Sequence, residues 1–199
     1  MIIPRITQPY EPGLPALGND LENYLVLAGG SLTLKFEPND KFKIINLEGF
    51  QQAEVVCFNS KGECNLSALG LNNDHNGQLT KNILTSGDES AVTAKTKLKK
   101  LGYEVDSINK SILVFSQNSI AGSIEEFKSN DSCVCIISAP GQSEITHESM
   151  PASELRVIVQ RNKKRQEGEF LLPDPLMDPV EEIFVKRYTA MAYEVKEGD

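Results

Sequence analysis

The stretch Ser31-Leu32-Thr33-Leu34-Lys35-Phe36-Glu37-Pro38-Asn39-Asp40-Lys41-Phe42-Lys43-Ile44-Ile45-Asn46-Leu47 decides the fold class. Leu32, Leu34 and Phe36 alternate with Thr33 and Lys35, and Phe42 and Ile44 resume the alternation after a turn at Pro38-Asn39-Asp40. A period of two places one side-chain set on one face of a pleated strand. The turn between two such runs predicts that they pair as a hairpin. Upstream, Tyr24-Leu25-Val26-Leu27 leads into Gly29-Gly30, and downstream Ala53-Glu54-Val55-Val56-Cys57-Phe58 forms another strand. Short, closely spaced strands of this kind build antiparallel sheets.

Further along, the period changes. After Asp74-His75-Asn76-Gly77, Leu79, Ile83 and Leu84 recur at helical spacing. A clearer helix follows Ser86-Gly87-Asp88-Glu89-Ser90, with Ala91, Ala94, Leu98 and Leu101 on one stripe and lysines outside it. Ser86 or Asp88 is placed to cap it, and Gly102 to end it. Strands resume at Ser111-Ile112-Leu113-Val114-Phe115, Cys133-Val134-Cys135-Ile136-Ile137 and Leu155 to Arg161. The apolar run from Cys133 reads as a strand buried on both faces, whereas Ile124 to Phe127 fits either strand or helix. The expected fold is α+β, a β-rich antiparallel sandwich or barrel with a helical insert near residues 77–102.

The Pro-rich start, residues 1–22, predicts an extended arm, and residues 23–172 the β-rich domain. Pro173, Pro175 and Pro179 mark residues 173–199 as a linker and the first strand of a following domain. The last residues, Tyr193-Glu194-Val195-Lys196-Glu197-Gly198-Asp199, start an alternation with no partner strand after it. The chain therefore reads as the front part of a longer protein, cut where a second copy of the element begins.

A net charge of -8 and a pI near 4.9 oppose nucleic acid and anionic membrane surfaces as partners. No apolar run approaches the roughly 20 residues of a membrane span, and the first residues lack a signal-peptide pattern. A cytoplasmic location and four reduced thiols are expected. The basic run Arg161 to Arg165 reads as a solvated strand end. Cys133 and Cys135 share a strand face, but one residue between them is too few for a zinc knuckle, so Cys57, Cys64, Cys133 and Cys135 are read as core thiols and no metal site is expected. A Cys/His nucleophile would need a thiol within reach of His75 or His147, which sit in polar loop sequence.

The most distinctive segment is Asn46-Leu47-Glu48-Gly49-Phe50-Gln51-Gln52-Ala53-Glu54. Glu48-Gly49 is a turn, with Gln51 and Gln52 at the mouth of the next strand. Glu48, Gln51 and Gln52, together with Ser86, Asp88 and Ser90 ahead of the helix, are the candidate ligand-binding residues. They serve a small-molecule or anion site only if the two segments share one concavity; turn satisfaction and helix capping explain them otherwise. No catalytic or cofactor-binding residue is expected.

This segment resembles the D-x-x-G-x-Q-x-x-D signature of urea-carboxylase-associated domains, with Asn46 and Glu54 in place of the terminal acids. The opening Pro4 to Gly18, Ser86 to Ser90, Asp174-Pro175-Leu176 and Ala192 to Gly198 are similar to the N-terminal region of large bacterial aminomethyltransferase-like proteins. The resemblance implies a parent that ends in a folate-dependent domain like the glycine-cleavage T-protein and transfers one-carbon units to tetrahydrofolate. It implies that this chain is a non-catalytic accessory module, a degenerate copy of the associated domain, whose partners are the following domains of the same protein. A binding domain for small molecules is the alternative it leaves open.

Overall fold

In the computed structural model, residues 21–72, 75–116, 118–140 and 153–162 are described. They form eight strands and two helices: β1 Leu21–Val26, β2 Ser31–Phe36, β3 Lys41–Asn46, β4 Ala53–Asn59, α1 Gln78–Leu84, α2 Glu89–Lys100, β5 Ile112–Val114, β6 Ser123–Lys128, β7 Cys133–Ser138 and β8 Leu155–Gln160. The strands divide into two antiparallel sheets, ordered β1-β8-β3-β6 and β2-β7-β4-β5. That order is a jelly roll, in which the chain repeatedly crosses from one layer to the other. The β-rich α+β expectation and the helical insert hold. The expected arm, the linker after Pro173 and the strand at Tyr193 lie outside the described residues, apart from Leu21 and Glu22, which open β1.

The expected β2–β3 hairpin does not form. The turn is present: the Asp40 amide donates to the Glu37 carbonyl, and Asn39 takes the left-handed conformation at φ 72°. Its two strands nevertheless enter different sheets, β2 pairing with β7 and β3 with β6 and β8. Folding over at the turn sets the two apolar faces against each other. Phe36 and Phe42 stack across the interior with ring centroids 4.5 Å apart. A side-by-side hairpin would leave those faces needing other cover, so layer crossing wins on buried apolar area.

The main core lies between the sheets. It takes Leu32, Leu34 and Phe36 from β2, Phe42 and Ile44 from β3, Val55 and Cys57 from β4, Cys133, Cys135 and Ile137 from β7, and Val157 and Val159 from β8. A second cluster covers the outer face of the β2-β7-β4-β5 sheet, where Val56, Phe58 and Ile136 meet Leu84 of α1 and Leu98 of α2. Two-sided cover explains the unbroken burial of β7 and the near-continuous burial of β4. The segment left open between strand and helix, Ile124 to Phe127, is the edge strand β6, and most of its residues are exposed.

Two buried carboxylate assemblies tie distant elements. On the outer face of β4, Glu54 accepts from the Thr80 amide at 2.6 Å and from the Ser111 hydroxyl at 2.9 Å, while Thr80 and Ser138 hydroxyls meet at 2.9 Å. A strand carboxylate thus caps the first turn of α1, whose N-cap is Gly77 and supplies no side chain. At the sandwich end, Arg161 bonds Glu22 of β1 at 2.7 Å and Asp40 of the β2–β3 turn at 3.0 Å. Asp40 also accepts from the amides of Glu37 and Asn162. The guanidinium lies 5.5 Å from the Phe36 ring centroid. Burial works against its charge, but the bonds to Glu22 and Asp40 outweigh this and hold its pKa above the ordinary value. Arg161 is therefore a structural ion, not the solvated strand end expected from the basic run; Lys163 to Arg165 lie outside the described residues.

Arg161→Met is expected to lower the unfolding free energy by about 3–5 kcal/mol, because it strands two buried carboxylates. Urea denaturation measures this, and a loss under about 1 kcal/mol would refute the assigned role. Glu54→Ala is expected to cost on the order of 2 kcal/mol and to speed hydrogen exchange at the Thr80 amide. Unchanged exchange there would show that α1 does not depend on the Glu54 cap.

Candidate functional site

The densest chemistry in the described residues is a group of three thiols between the sheets. β4 and β7 are antiparallel neighbours, and their register sets Cys57 directly opposite Cys135. Cys133 lies two residues before Cys135, on the same face, as the strand period requires. The three sulfurs all lie within 4.8 Å of one another, with Cys133 and Cys135 3.9 Å apart. All three residues are buried. The Ser129 hydroxyl stands 3.6 Å from the Cys133 sulfur and bonds the Asp131 carbonyl.

The thiols differ in their ease of ionisation. Hydrogen bonds from Cys135 and then Cys57, with Ser129 adding a third, hold Cys133 below the ordinary thiol range; burial and the nearby Asp40 charge oppose this. Cys135 is raised, first by burial and then by its bonds to the other two sulfurs. Cys57 is raised chiefly through its bond to Cys133. The arrangement is three mutually bonded sulfurs of unequal acidity, closed to solvent.

Cys64, the fourth thiol, belongs to the outer cluster with Val56 and Phe58 and donates to the Lys110 carbonyl at 3.2 Å. Sequence could not choose between Cys57 and Cys64 as the companion of the Cys133 pair; the β4–β7 register does. His75 is exposed and exchanges backbone hydrogen bonds with Ser111. The hydrogen bonds of the thiols among described residues run to backbone carbonyls, to Ser129 and to one another. His147 lies outside the described residues.

The segment 46–54 folds as a self-satisfied crossing between the two sheets. The Asn46 side chain donates to the Gln51 carbonyl and accepts from the Gly49 amide, both at 2.9 Å. Gln51 is buried, accepting from the Ser153 amide at 2.8 Å and donating to the Gln52 carbonyl. Gly49 packs so tightly on the loop before β6 that a Cβ there would stand 2.7 Å from the Ala121 nitrogen. Glu54 is the α1 cap already described. Glu48 projects from the turn into solvent, and Gln52 is half-buried.

Ser86 and Asp88 are exposed ahead of α2, and Ser90 is exposed in its first turn. The Ser86 hydroxyl donates to the Asp88 carboxylate at 2.8 Å, and Asp88 occupies the N-cap position without a side-chain bond to the helix amides. The expected side-chain cap is absent because the Asp88 carboxylate turns back to Ser86. No hydrogen bond between described residues joins this loop to the Glu48–Gln52 turn. Among the described residues, no helix is long and apolar enough to cross a membrane.

No protein-family model matches the chain. Among characterised proteins, it is similar to the trimethylamine-oxide aldolase of Ruegeria pomeroyi, 32% identical over 205 residues that take in the whole of this chain. The chain spans about a quarter of the length of that relative, 25% of it. Among solved structures, a DUF1989 family protein from Silicibacter pomeroyi aligns with 14% identity and a TM-score of 0.45, over 72% of this chain and 80% of its own. The Yersinia pseudotuberculosis-derived mitogen aligns at 7% identity and a TM-score of 0.28, over 78% and 95%. Both likenesses are too remote to bear on the architecture.

The aldolase match corrects the resemblance drawn from the sequence. The residues likened to an aminomethyltransferase-like protein belong to a stretch that aligns along its whole length with the trimethylamine-oxide aldolase. This overturns the accessory role in an aminomethyltransferase, the glycine-cleavage and tetrahydrofolate reading attached to it, and the following domains of such a protein as partners. Proline-rich and turn-forming segments share residues because turns restrict them, so such matches carry little information about chemistry.

Proposed function

We propose that this chain belongs to a protein that binds and cleaves amine N-oxides, with trimethylamine N-oxide as substrate, and that the jelly roll serves it as a small-molecule-binding domain. One observation carries the reading: 32% identity sustained over the whole chain to trimethylamine-oxide aldolase. The chemistry is self-contained. Breaking one N–CH3 carbon–nitrogen bond and oxidising that carbon at the expense of the N-oxide converts the substrate to dimethylamine and formaldehyde. Atoms balance without an outside oxidant.

The ligand pairs a cationic nitrogen with an anionic oxygen, inside three methyl groups. Glu48, exposed in the β3–β4 turn, offers the nitrogen a negative charge, and the Gln52 amide offers the oxygen a donor. Gln51 serves by holding the turn to Ser153.

Calorimetric titration of the chain with trimethylamine N-oxide, and with trimethylamine as control, tests the reading. Saturable binding of the oxide alone is expected, with Glu48→Gln and Gln52→Ala each weakening it about tenfold, or about 1.4 kcal/mol. Formaldehyde and dimethylamine released in equal amounts would extend the reading to catalysis by this chain. Failure of the oxide to bind, or equal binding of trimethylamine, would overturn it.

A further inference from the structure

We propose that Phe50 is the ring against which this chain seats the methyl groups of its ligand, and that it sets a preference for a methylated, positively charged nitrogen. The proposal rests on the amine-oxide reading and adds an aromatic face to the charge of Glu48 and the donor of Gln52. Phe50 lies between those two residues in the β3–β4 turn. Its backbone is the first observation. Phe50 takes the left-handed conformation at φ 56°, directly after Gly49 at φ 80°. Glycine, asparagine and aspartate enter such a turn without strain, whereas a bulky side chain is strained there. Gly49 has a reason to be glycine, because a Cβ would strike the Ala121 nitrogen. Nothing in the backbone gives position 50 a reason to be aromatic.

Exposure is the second observation. Phe50 is 45% exposed, the one aromatic among the exposed large apolar residues described. Phe115 shares the left-handed conformation, at φ 66°, but packs on the main core, and that contact offsets its strain. Phe50 belongs to neither apolar cluster. Its conformation and its exposure both cost free energy that the fold does not return, which is the mark of a residue kept for contact with something else. The setting is the third observation. The Phe50 amide donates to the Ser119 carbonyl at 2.8 Å, and the Gly122 amide to the Asn46 carbonyl at 2.7 Å. These bonds lock the turn onto the loop before β6, whose Ile120 is 75% exposed, the highest value among the large apolar residues described. Phe50 and Ile120 thus issue from one fixed backbone junction, and Gln51 ties the same turn to Ser153. The face of a phenyl ring is electronegative and attracts a cationic nitrogen whose charge is spread over methyl groups. Trimethylamine N-oxide carries its three methyl groups on the side away from its oxygen. Seating that side on the ring leaves the oxygen for the Gln52 amide.

The test is titration of the chain with trimethylamine N-oxide, read by calorimetry and by the methyl proton resonance of the ligand. That resonance is expected to move upfield on binding, as protons over a ring face do. Phe50→Tyr keeps the ring and is expected to bind within about twofold of the unaltered chain. Phe50→Leu keeps apolar bulk without a ring, and is expected to weaken binding about fivefold and to abolish the upfield shift. Val92→Ala, at an exposed apolar position on α2, is expected to change neither. Phe50→Gly is expected to weaken binding at least about tenfold while the melting temperature falls by less than about 4 °C, because relief of backbone strain offsets the lost contact. A larger fall would make Phe50 a packing residue and overturn the proposal. So would equal binding and an equal shift for Phe50→Leu, a result that leaves the amine-oxide reading intact. Tetramethylammonium, methylated and charged but without the oxygen, separates the two failures. If the chain ignores the oxide yet binds tetramethylammonium in a way that Phe50→Leu weakens, the amine-oxide reading falls and the role of Phe50 stands. If it binds neither, both fall.

Discussion

The pairing of β4 with β7 is the constraint on which the rest of this molecule depends. Both strands are sandwiched, one face against the opposite sheet and the other against α1 and α2. Burial on both faces forces apolar residues into almost every position, and the few polar ones must find partners. Glu54 and Ser138 do so through Thr80 and Ser111, which fixes the start of α1. The inward positions, one face over, carry the thiols. One register therefore determines a helix cap, a core and a sulfur cluster together; a slip by one residue would exchange the faces and destroy all three.

How much of this was legible follows from what periodicity encodes. Alternation in Leu32-Thr33-Leu34-Lys35-Phe36 marks a strand and names its buried face, and the i, i+3, i+7 stripe of α2 marks a helix. Neither names a partner. The turn at Pro38-Asn39-Asp40 is compatible with two strands side by side or one above the other, and only the stacking of Phe36 on Phe42 distinguishes them. The same limit hid the thiol cluster. The spacing of Cys133 and Cys135 is local and readable, but the choice of Cys57 over Cys64 is a matter of register between strands more than seventy residues apart. Arg161 was misread for a related reason. Its charge is visible in sequence, whereas the two carboxylates that neutralise it come from the first strand and the second turn.

The segment Asn46 to Glu54 shows how a distinctive sequence arises without an exposed site. Asn46 closes the turn from both sides, Gly49 fits where a Cβ would collide, Gln51 reaches across to Ser153, and Glu54 caps a helix. Each identity answers a backbone demand created by crossing between layers. Those demands leave Glu48 and Gln52 as the positions whose chemistry the turn itself does not dictate. The ion cluster at the other end plays a comparable part with charge in place of amides. Arg161 reaches Glu22 and Asp40 and covers Phe36, the residue paired with Cys133 on the neighbouring strand.

The register of β1 has a consequence for how the chain comes off the ribosome. Leu21 pairs with Gln160 and Val26 with Leu155, so the first described strand is hydrogen-bonded to the last described one. At ordinary synthesis rates the interval between them is on the order of ten seconds. Throughout it, β1 lacks β8, its hydrogen-bonding neighbour among the described strands. Sheets assembled from such remote pairings fold in milliseconds to seconds once complete, slower than helical bundles of similar size. For most of its birth, then, this protein is an incomplete sheet with an open edge. Its vulnerability to aggregation is set by the tempo of translation as much as by the stability of the finished sandwich.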